Sequence, residues 1–300
     1  MLPRDLSPML ASTGALPTGE GWAYEIKWDG VRALVSVEGG SVRAVSRNGN
    51  DITGAYPELA SLLSLTKPTL LDGELVALVN GKPSFAALQG RMHVRSPGAD
   101  LVAATPVGFV PFDVLHLGAK SLLDKPYTER RKALNALDLG APEPFFGDGA
   151  ELLQSTRTQG LEGLVAKRVD STYLPGKRSP AWVKVKHISR ASVVVGGWKA
   201  GEGGRSGQLG SLLLGVPSPQ GLLYAGHVGT GFNAAALRLL ADRLAPLARS
   251  DSPYQQEVPR QHARTARWVE PVIVVDVEFT EWTRDGRLRH PSYKGIRDDL

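Results

Sequence analysis

Cysteine is absent from this 300-residue sequence, so disulfide bonds and thiolate zinc sites are excluded and a reducing compartment is permitted. No apolar run reaches the roughly eighteen residues of a membrane-spanning helix, so no membrane span is predicted. The first residues carry charge and proline where a signal peptide needs an apolar segment, and none is expected. The six histidines show no metal-binding spacing, such as a pair separated by one helical turn. We therefore expect a cytoplasmic protein.

Composition favours a folded chain with a polyanionic partner. A length of 300 residues and a hydrophobic content of 42% suit two domains with substantial cores. The formal net charge is +5, and basic residues recur in local clusters, which favours a partner such as nucleic acid. The sequence contains no internal repeat and no low-complexity tract.

Periodicity predicts many short strands and few helices. Residues 1–20 are predicted to form an irregular arm, and two hairpin-like units follow, with turns at Asp29-Gly30 and Gly39-Gly40. A strand over 70–79 is predicted to be interrupted at Asp72-Gly73. Further predicted strands cover 107–117, 161–169, 182–185, 193–198, 208–216, 221–228 and 272–282, and predicted helices cover 56–65, 85–92, 128–137, 151–159 and 233–247.

The pattern of predicted elements changes near residues 187–191, after which short strands with glycine turns follow. We place a first domain at 1–188 and a second at 189–300. Short strands with glycine turns around one amphipathic helix fit a small β-barrel of the oligonucleotide-binding (OB) type.

The stretch Glu25–Arg32 (EIKWDGVR) places Lys27 between two carboxylates, Glu25 and Asp29, on one face of a strand. One interpretation is a solvated, salt-bridged hairpin rim. The other is a lysine nucleophile for a phosphorus centre, with Arg32 as a phosphate contact. Such a lysine has to lose its proton before it attacks, and neighbouring cations or a divalent metal ion favour that loss, whereas the two carboxylates oppose it.

A second pair of lysines supports the phosphate interpretation. In the predicted strand around Trp182–Val185, Val183 and Val185 face a core, which leaves Lys184 and Lys186 about 7 Å apart on the other face. Two ammonium groups at that separation repel each other unless an anion lies between them.

Other candidates have two interpretations each. Glu74 is either a ribose contact or a solvated turn carboxylate, and Phe112 either stacks on a base or packs in a core. Glu162 is either a metal ligand or the partner of a lysine. Arg47 and Arg178 are loop arginines that either bind phosphate or remain solvated. The glycine-rich segment 201–207 lacks the lysine-hydroxyl pair and the helix of a P-loop, so we interpret it as a flexible loop.

Taken together and in order, these segments resemble the motifs of ATP-dependent DNA ligases. Residues 25–32 resemble the nucleotidyltransferase motif I, and six further segments resemble the later motifs: 46–49 (SRNG), 72–74 (DGE), 112–115 (FDVL), 162–167 (EGLVAK), 182–186 (WVKVK) and 289–299 (RHPSYKGIRDD). The similarity spans residues 4–299. Within the family, residues 8–11, 85–89 and 289–297 look most like the ligase module of bacterial non-homologous end-joining ligases. Where that family usually has a basic residue after Asp299, this sequence has Leu300.

The resemblance implies a fold and a mechanism. The expected fold class is α+β: a nucleotidyltransferase (adenylation) domain of antiparallel sheets with helices, followed by an OB-fold domain. Lys27 would attack the α-phosphorus of ATP, AMP would remain on Lys27, and AMP would then pass to the 5′-phosphate of a nick that the 3′-hydroxyl seals.

The resemblance also implies roles for the remaining residues. Glu25 and Phe112 would contact adenine, Glu74 and Arg32 ribose and phosphate, and Glu162 with Asp29 a Mg²⁺ or Mn²⁺ ion. The expected phosphate contacts are Arg47, Arg178, Lys184, Lys186 and, from the end of the chain, Arg297.

The expected partners are nicked duplex DNA and a Ku-like end-binding protein, with the chain a nucleoid-associated monomer. Two alternatives stay open at this point. One is an RNA ligase or capping guanylyltransferase, which shares the lysine motif. The other is a non-enzymatic OB protein that binds single strands, which leaves residues 1–188 without an explanation.

Overall fold

A computed structural model describes residues 1–79, 81–201, 208–283 and 285–297. The chain divides into two compact units, Met1–Lys186 and His187–Leu300. Both units are built mostly from antiparallel strands with few helices, so the predicted α+β class is confirmed. In the described part of the chain, no helix is both long and apolar enough to cross a membrane.

The first unit contains two sheets. Its strands are β1 (Leu10–Thr13), β2 (Trp22–Ile26), β3 (Val31–Glu38), β4 (Ser41–Ser46), β5 (Thr69–Val79), β6 (Lys82–Pro83), β7 (Val107–Leu117), β8 (Lys120–Ser121), β9 (Gly163–Arg168) and β10 (Arg178–Lys186). Its helices are α1 (Phe85–Met92), α2 (Ala99–Ala104), α3 (Tyr127–Asn135) and α4 (Gly149–Thr158), with 3-10 helices at Thr53–Ala55 and Pro57–Ser64. One sheet has the order β1-β10-β9-β2, and the other has the order β4-β3-β5-β7-β8, with β6 paired to β5.

Because side chains alternate between the two faces of a strand, each sheet packs against a different layer on each of its faces. One face of the larger sheet packs under α1, α3 and the 3-10 helices, with Val35, Leu71 and Val114 in that core. Its other face supplies Leu34, Leu70 and Leu115, which pack against Met9, Tyr173 and Trp182 from the side of the smaller sheet. The outer face of the smaller sheet carries Tyr24, Leu164 and Ala166 against α4. The inner faces of both sheets are therefore directed toward each other.

The predicted turn at Asp29-Gly30 is wrong. Strand β2 pairs with β9, whereas β3 pairs with β4 and β5, so residues 27–30 cross from one sheet to the other. Gly30 is required by close packing instead of by a hairpin, because a Cβ at this position would lie 2.1 Å from the carbonyl oxygen of Leu75. Local turn chemistry could not distinguish a hairpin from a crossing between sheets.

Three other local predictions are also corrected. The arm at residues 1–20 contains β1, which pairs in parallel with the distant strand β10. Strand β5 is continuous through Asp72-Gly73, where only its register with β7 shifts. The predicted helix over 56–65 is a 3-10 helix at Pro57–Ser64, and α2 was not predicted.

The second unit has a main sheet and a two-stranded pair, and its core is separate from that of the first unit. Its strands are β11 (Ser189–Ala200), β12 (Leu209–Ser218), β13 (Gly221–Val228), β14 (Ala248–Arg249), β15 (Ala266–Val269), β16 (Val274–Phe279), β17 (Glu281–Trp282), β18 (Leu288–Arg289) and β19 (Ser292–Arg297), and its helices are α5 (Ala234–Leu244) and α6 (Arg260–Ala263), with a 3-10 helix at Ala245–Leu247. The main sheet has the order β13-β12-β11-β15-β14, while β16 pairs with β11 and β19. Strands β17 and β18 form a separate pair.

Strand β11 organises this second unit. Its first half pairs with β16, and its last residues pair with β15, while β12 runs along its other edge. Gly196 lies between the two pairings, and a Cβ there would come within 2.6 Å of the Tyr254 ring. Helix α5 is capped by Asn233, whose side chain accepts from the backbone of Ala236 at 2.8 Å. The predicted glycine-rich loop 201–207 lies almost entirely outside the described residues.

Candidate active site

A cavity of about 280 Å³ lies between the inner faces of the two sheets of the first unit. It is lined by Leu10, Ala11, Glu25, Ile26, Lys27, Trp28, Arg32, Arg47, Glu74, Phe112, Val165, Lys167, Arg178, Trp182, Lys184 and Lys186. The alternation of side chains along a strand explains which residues of β9 and β10 line the cavity, because every second side chain of each strand is directed toward it.

The cavity gathers most of the candidates that the sequence singled out. Nine of them line it: Glu25, Lys27, Arg32, Arg47, Glu74, Phe112, Arg178, Lys184 and Lys186. Glu162 joins the group through two of these lysines. Asp29 is not among the lining residues, and Arg297 lies in the second unit, at the end of β19, where it donates to the Ser192 hydroxyl at 2.6 Å.

Lys27 lies directly after β2, with its backbone N–H bonded to the carbonyl of Gly163 at 2.9 Å. Its ammonium group donates to Glu162 Oε2, and the other carboxylate oxygen of Glu162 pairs with Lys186 Nζ at 2.7 Å. Burial favours a raised pKa for Glu162, but Lys27 and Lys186 outweigh it and hold that pKa below its ordinary value. The carboxylate is therefore charged and shared by two lysines.

Several cations of the cavity form a cluster around Lys184. Burial lowers the pKa of Lys184, and the neighbouring charges of Lys186, Arg178, Lys27 and Arg47 lower it further. So many positive groups repel each other, and Glu162 is a carboxylate that pairs with two of them, Lys27 and Lys186. An anion with several charges, such as a polyphosphate, would relieve that repulsion.

Arg32 is held from behind by Asp72. Its guanidinium makes two hydrogen bonds to that carboxylate, at 2.5 and 2.6 Å, and donates to the backbone oxygen of Met9 at 3.2 Å. Asp72 is fully buried and also accepts from the Tyr173 hydroxyl at 2.6 Å. Burial opposes the charge of Arg32, but Asp72 keeps its pKa above the ordinary value. Arg32 is therefore a charged and oriented part of the cavity wall.

Glu74 lies on the same strand as Asp72 and lines the cavity, so it is not a solvated turn residue. Burial raises its pKa to about 7, and Asp72 and Glu162 act in the same direction, while Arg32 and Lys27 oppose them. Glu74 is thus poised between an acceptor-only carboxylate and a neutral acid that donates.

Sequence reasoning missed Lys167 as a cavity residue. This ammonium group is 2% exposed and bonds to Glu25 Oε2 at 2.7 Å, while the Tyr127 hydroxyl donates to Glu25 Oε1 at 2.5 Å. Burial lowers the pKa of Lys167, and Glu25 opposes that effect. The alternation of β9 was the available signal, because it places Lys167 on the same face as Val165, opposite Leu164 and Ala166.

The carboxylate oxygens near the cavity suit a metal ion that binds together with substrate phosphates. No group of three or more His, Asp or Glu side chains that could hold a metal occurs among the described residues. Mg²⁺ is commonly held by one or two carboxylates together with substrate phosphates, and Glu162 beside the cationic cluster matches that pattern. The residues fit a phosphate-bound ion and do not form a protein-only cage.

Family comparisons match both units. The profile described as "ATP dependent DNA ligase domain" matches residues 8–144 and 147–186, and "ATP dependent DNA ligase C terminal region" matches residues 205–300. The resemblance that the motifs indicated is therefore confirmed, and the second unit corresponds to the C-terminal OB-fold domain of these ligases.

Individual relatives agree with these matches. The "Multifunctional non-homologous end joining DNA repair protein LigD" of Mycobacterium tuberculosis (strain ATCC 25618 / H37Rv) is 44% identical over 304 residues, which cover 98% of this chain and 39% of LigD. This chain thus spans about two fifths of that relative. "DNA ligase C1" of Mycolicibacterium smegmatis is 36% identical, covering 95% of this chain and 87% of the relative.

A solved structure matches along the whole length. The crystal structure of the ligase domain from M. tuberculosis LigD is 42% identical, with a TM-score of 0.60, and the match covers 100% of this chain and 97% of that domain. Motifs, fold, profiles and relatives agree, and the chain belongs to the family of ATP-dependent DNA ligases.

Proposed function

We propose that this chain seals nicks between a 5′-phosphate and a 3′-hydroxyl in duplex DNA through an AMP group carried on Lys27. The observation that carries the proposal is the position of Lys27. Its amine lines a cavity whose wall also holds the cations Arg47, Arg178, Lys184 and Lys186. Such an arrangement brings a nucleophile next to groups that stabilise negative charge on a triphosphate.

The first step is transfer of AMP from ATP. The Lys27 amine attacks the α-phosphorus, a P–N bond forms, the bond to the bridging oxygen breaks, and pyrophosphate leaves. Before attack the ammonium group has to release a proton to the solvent and to leave its contact with Glu162, the carboxylate that would hold the metal ion. Lys184 and Lys186 line the same cavity and would stabilise the charge that develops on the α-phosphate. The ring of Phe112 offers a face for adenine.

The next two steps use the same cavity. An oxygen of the 5′-phosphate at the nick attacks the phosphorus of AMP, the P–N bond breaks, and Lys27 is released. The 3′-hydroxyl then attacks the 5′-phosphorus, the new phosphodiester forms, and AMP leaves. Glu162 would hold a divalent metal ion, which supplies charge neutralisation on the phosphates when bound.

Several finer assignments belong to this proposal. We assign adenylation to residues 1–188 and the OB-fold to 189–300, with Glu74 and Arg32 as contacts to the sugar and phosphate of ATP. End joining is the proposed context, since the LigD relatives carry that activity in their name. Cytoplasmic location near the nucleoid, a Ku-like partner, a monomeric state and a metal role for Asp29 remain predictions. Family membership argues against the RNA ligase, guanylyltransferase and non-enzymatic alternatives.

The experiment is an adduct test. The protein is incubated with Mg²⁺ and ATP labelled at the α-phosphate, and the adduct is mapped by mass spectrometry. We expect one phosphoramide, stable to alkali and labile to acid, on Lys27. Lys27→Arg is the matched variant, because a guanidinium keeps its charge and its proton and cannot attack. AMP transfer by that variant, or an adduct on another residue, would refute the proposal.

A further inference from the structure

Lys167 carries a buried charge to which the proposed reaction assigns no role. Its Nζ lies 4.4 Å from the centroid of the Trp182 ring and 4.6 Å from that of Phe112. Glu25 is its carboxylate partner, and the backbone oxygen of Phe112 lies 3.5 Å from the same Nζ. Burying an ammonium group is costly even when it is paired, so an apolar residue of similar length would be the simpler choice for mere packing.

The Lys167 ammonium group contacts the Glu25 carboxylate and the two aromatic rings beside it. Glu25 bonds through both of its carboxylate oxygens, one to Lys167 and one to Tyr127, so its orientation is fixed. Glu25, Phe112, Trp182 and Lys167 all line the cavity. Without the charge on Lys167, the carboxylate would lose one of its two anchors, and the two rings would lose one of the two cations that lie against them, with Arg32 as the other.

The two ends of the cavity differ in charge. At one end Lys184 is surrounded by the charges of Lys186, Arg178, Lys27 and Arg47, which suits phosphates. At the other end each cation has a carboxylate partner, Glu25 for Lys167 and Asp72 for Arg32. The Phe112 and Trp182 rings lie against both cations. A neutral planar heterocycle fits this second end, since aromatic faces stack on bases.

We propose that Lys167 is a positioning residue for the nucleobase: it fixes the Glu25 carboxylate and the Phe112 and Trp182 rings against which the base of the nucleotide lies. The inference rests on the proposed function for the identity of the nucleotide as ATP. Lys167 and the cationic cluster thus have different roles: Lys167 positions the base, and the cluster binds the phosphates.

The test compares a ligand that has a base with one that has none. Binding of ATP and of inorganic triphosphate is measured by calorimetry for the wild type, Lys167→Met and Lys184→Met. For Lys167→Met we expect ATP binding to weaken about tenfold or more, the range of one stacked base, while triphosphate binding changes less than about twofold. For Lys184→Met we expect both ligands to weaken together, because this lysine belongs to the phosphate end.

A double variant separates positioning from folding. Lys167→Met alone leaves Glu25 charged and unpaired, which lowers thermal stability, whereas Glu25→Gln/Lys167→Met removes both charges and should recover much of it. ATP binding should stay weak in the double variant. Recovery of ATP affinity together with stability would show a purely structural role and overturn the inference, and so would equal weakening of both ligands in Lys167→Met. A wild type that binds ATP but forms no adduct would refute the proposed function and leave this comparison intact.

Discussion

Glu162 accepts from one lysine of the cavity and pairs with a second. The contacts are with Lys27 and, at 2.7 Å, with Lys186, and they compensate part of the repulsion among the cations. A triphosphate would supply that compensation itself and release the carboxylate. Under the proposed function the two interpretations of Glu162, metal ligand and lysine partner, are therefore compatible, because the metal role would apply once a triphosphate is bound.

Glu74 provides a pH prediction at the same scale. Its pKa of about 7 in the folded protein lies above the ordinary value of 4.5, so the folded state keeps a proton that the unfolded chain releases between these values. Its stabilising contribution is therefore complete below pH 4.5 and is lost as the pH rises toward 7. We expect Glu74→Gln to gain on the order of 1–3 kcal/mol in unfolding free energy relative to the wild type between pH 5 and 7.

Urea unfolding of both proteins at several pH values measures this difference. The comparison with the wild type cancels the other carboxylates, several of which titrate in the opposite sense. A difference that stays constant from pH 4.5 to 7.5 would contradict the raised pKa of Glu74.

Periodicity along single strands predicted which side chains share a face of a strand, but it did not predict which distant residues contact each other. Alternation in β10 placed Lys184 and Lys186 on one face, and both line the cavity. The same alternation put Glu25 with Lys27, but it could not identify Lys167 as the partner of Glu25, because 142 residues separate them. Such contacts depend on which strands become neighbours, and single-strand periodicity carries no information about that choice.

Among the elements, β1 shows a dependence on distant partners. It joins the smaller sheet in parallel with β10, and its residues Leu10 and Ala11 line the cavity. The adjoining Met9 is tied to Tyr173, whose hydroxyl accepts from the Met9 N–H at 2.9 Å and donates to Asp72 at 2.6 Å. The sequence alone predicted an irregular arm here, because a four-residue strand without a local hairpin has no periodic signal.

Tyr173→Phe tests this connection. The variant leaves the N–H of Met9 buried without its acceptor, so we expect the unfolding free energy to fall by about 1–3 kcal/mol. Tyr224→Phe in the second unit is the matched control, since the Tyr224 hydroxyl is buried and has no hydrogen-bond partner among the described residues. We expect that control to be neutral or slightly stabilising. Equal stability of Tyr173→Phe and the wild type in urea would show that β1 does not depend on this hydroxyl.

For the whole molecule, the question is what the second unit contributes to the chemistry that the proposed function assigns to the first. Arg297 bears directly on it. The residue ends β19, where it donates to Ser192 at 2.6 Å and lies 4.0 Å from Asp276, so it is an ordered part of the second unit and not a frayed end. Asp298, Asp299 and Leu300 lie outside the described residues.

If the second unit approaches the cavity to orient the leaving pyrophosphate, Arg297 matters only for the first step. We expect Arg297→Ala to slow adduct formation from ATP roughly tenfold or more, while it still seals a nick supplied with a pre-adenylated 5′ end. Arg190→Ala is the matched control, because Arg190 is exposed on the same unit and pairs with Glu278 at 2.8 Å. The two assays are run on both variants with the same nicked duplex. Normal adduct formation by Arg297→Ala would show that Arg297 does not act on ATP, whereas equal loss in both assays would assign it to folding or to DNA binding.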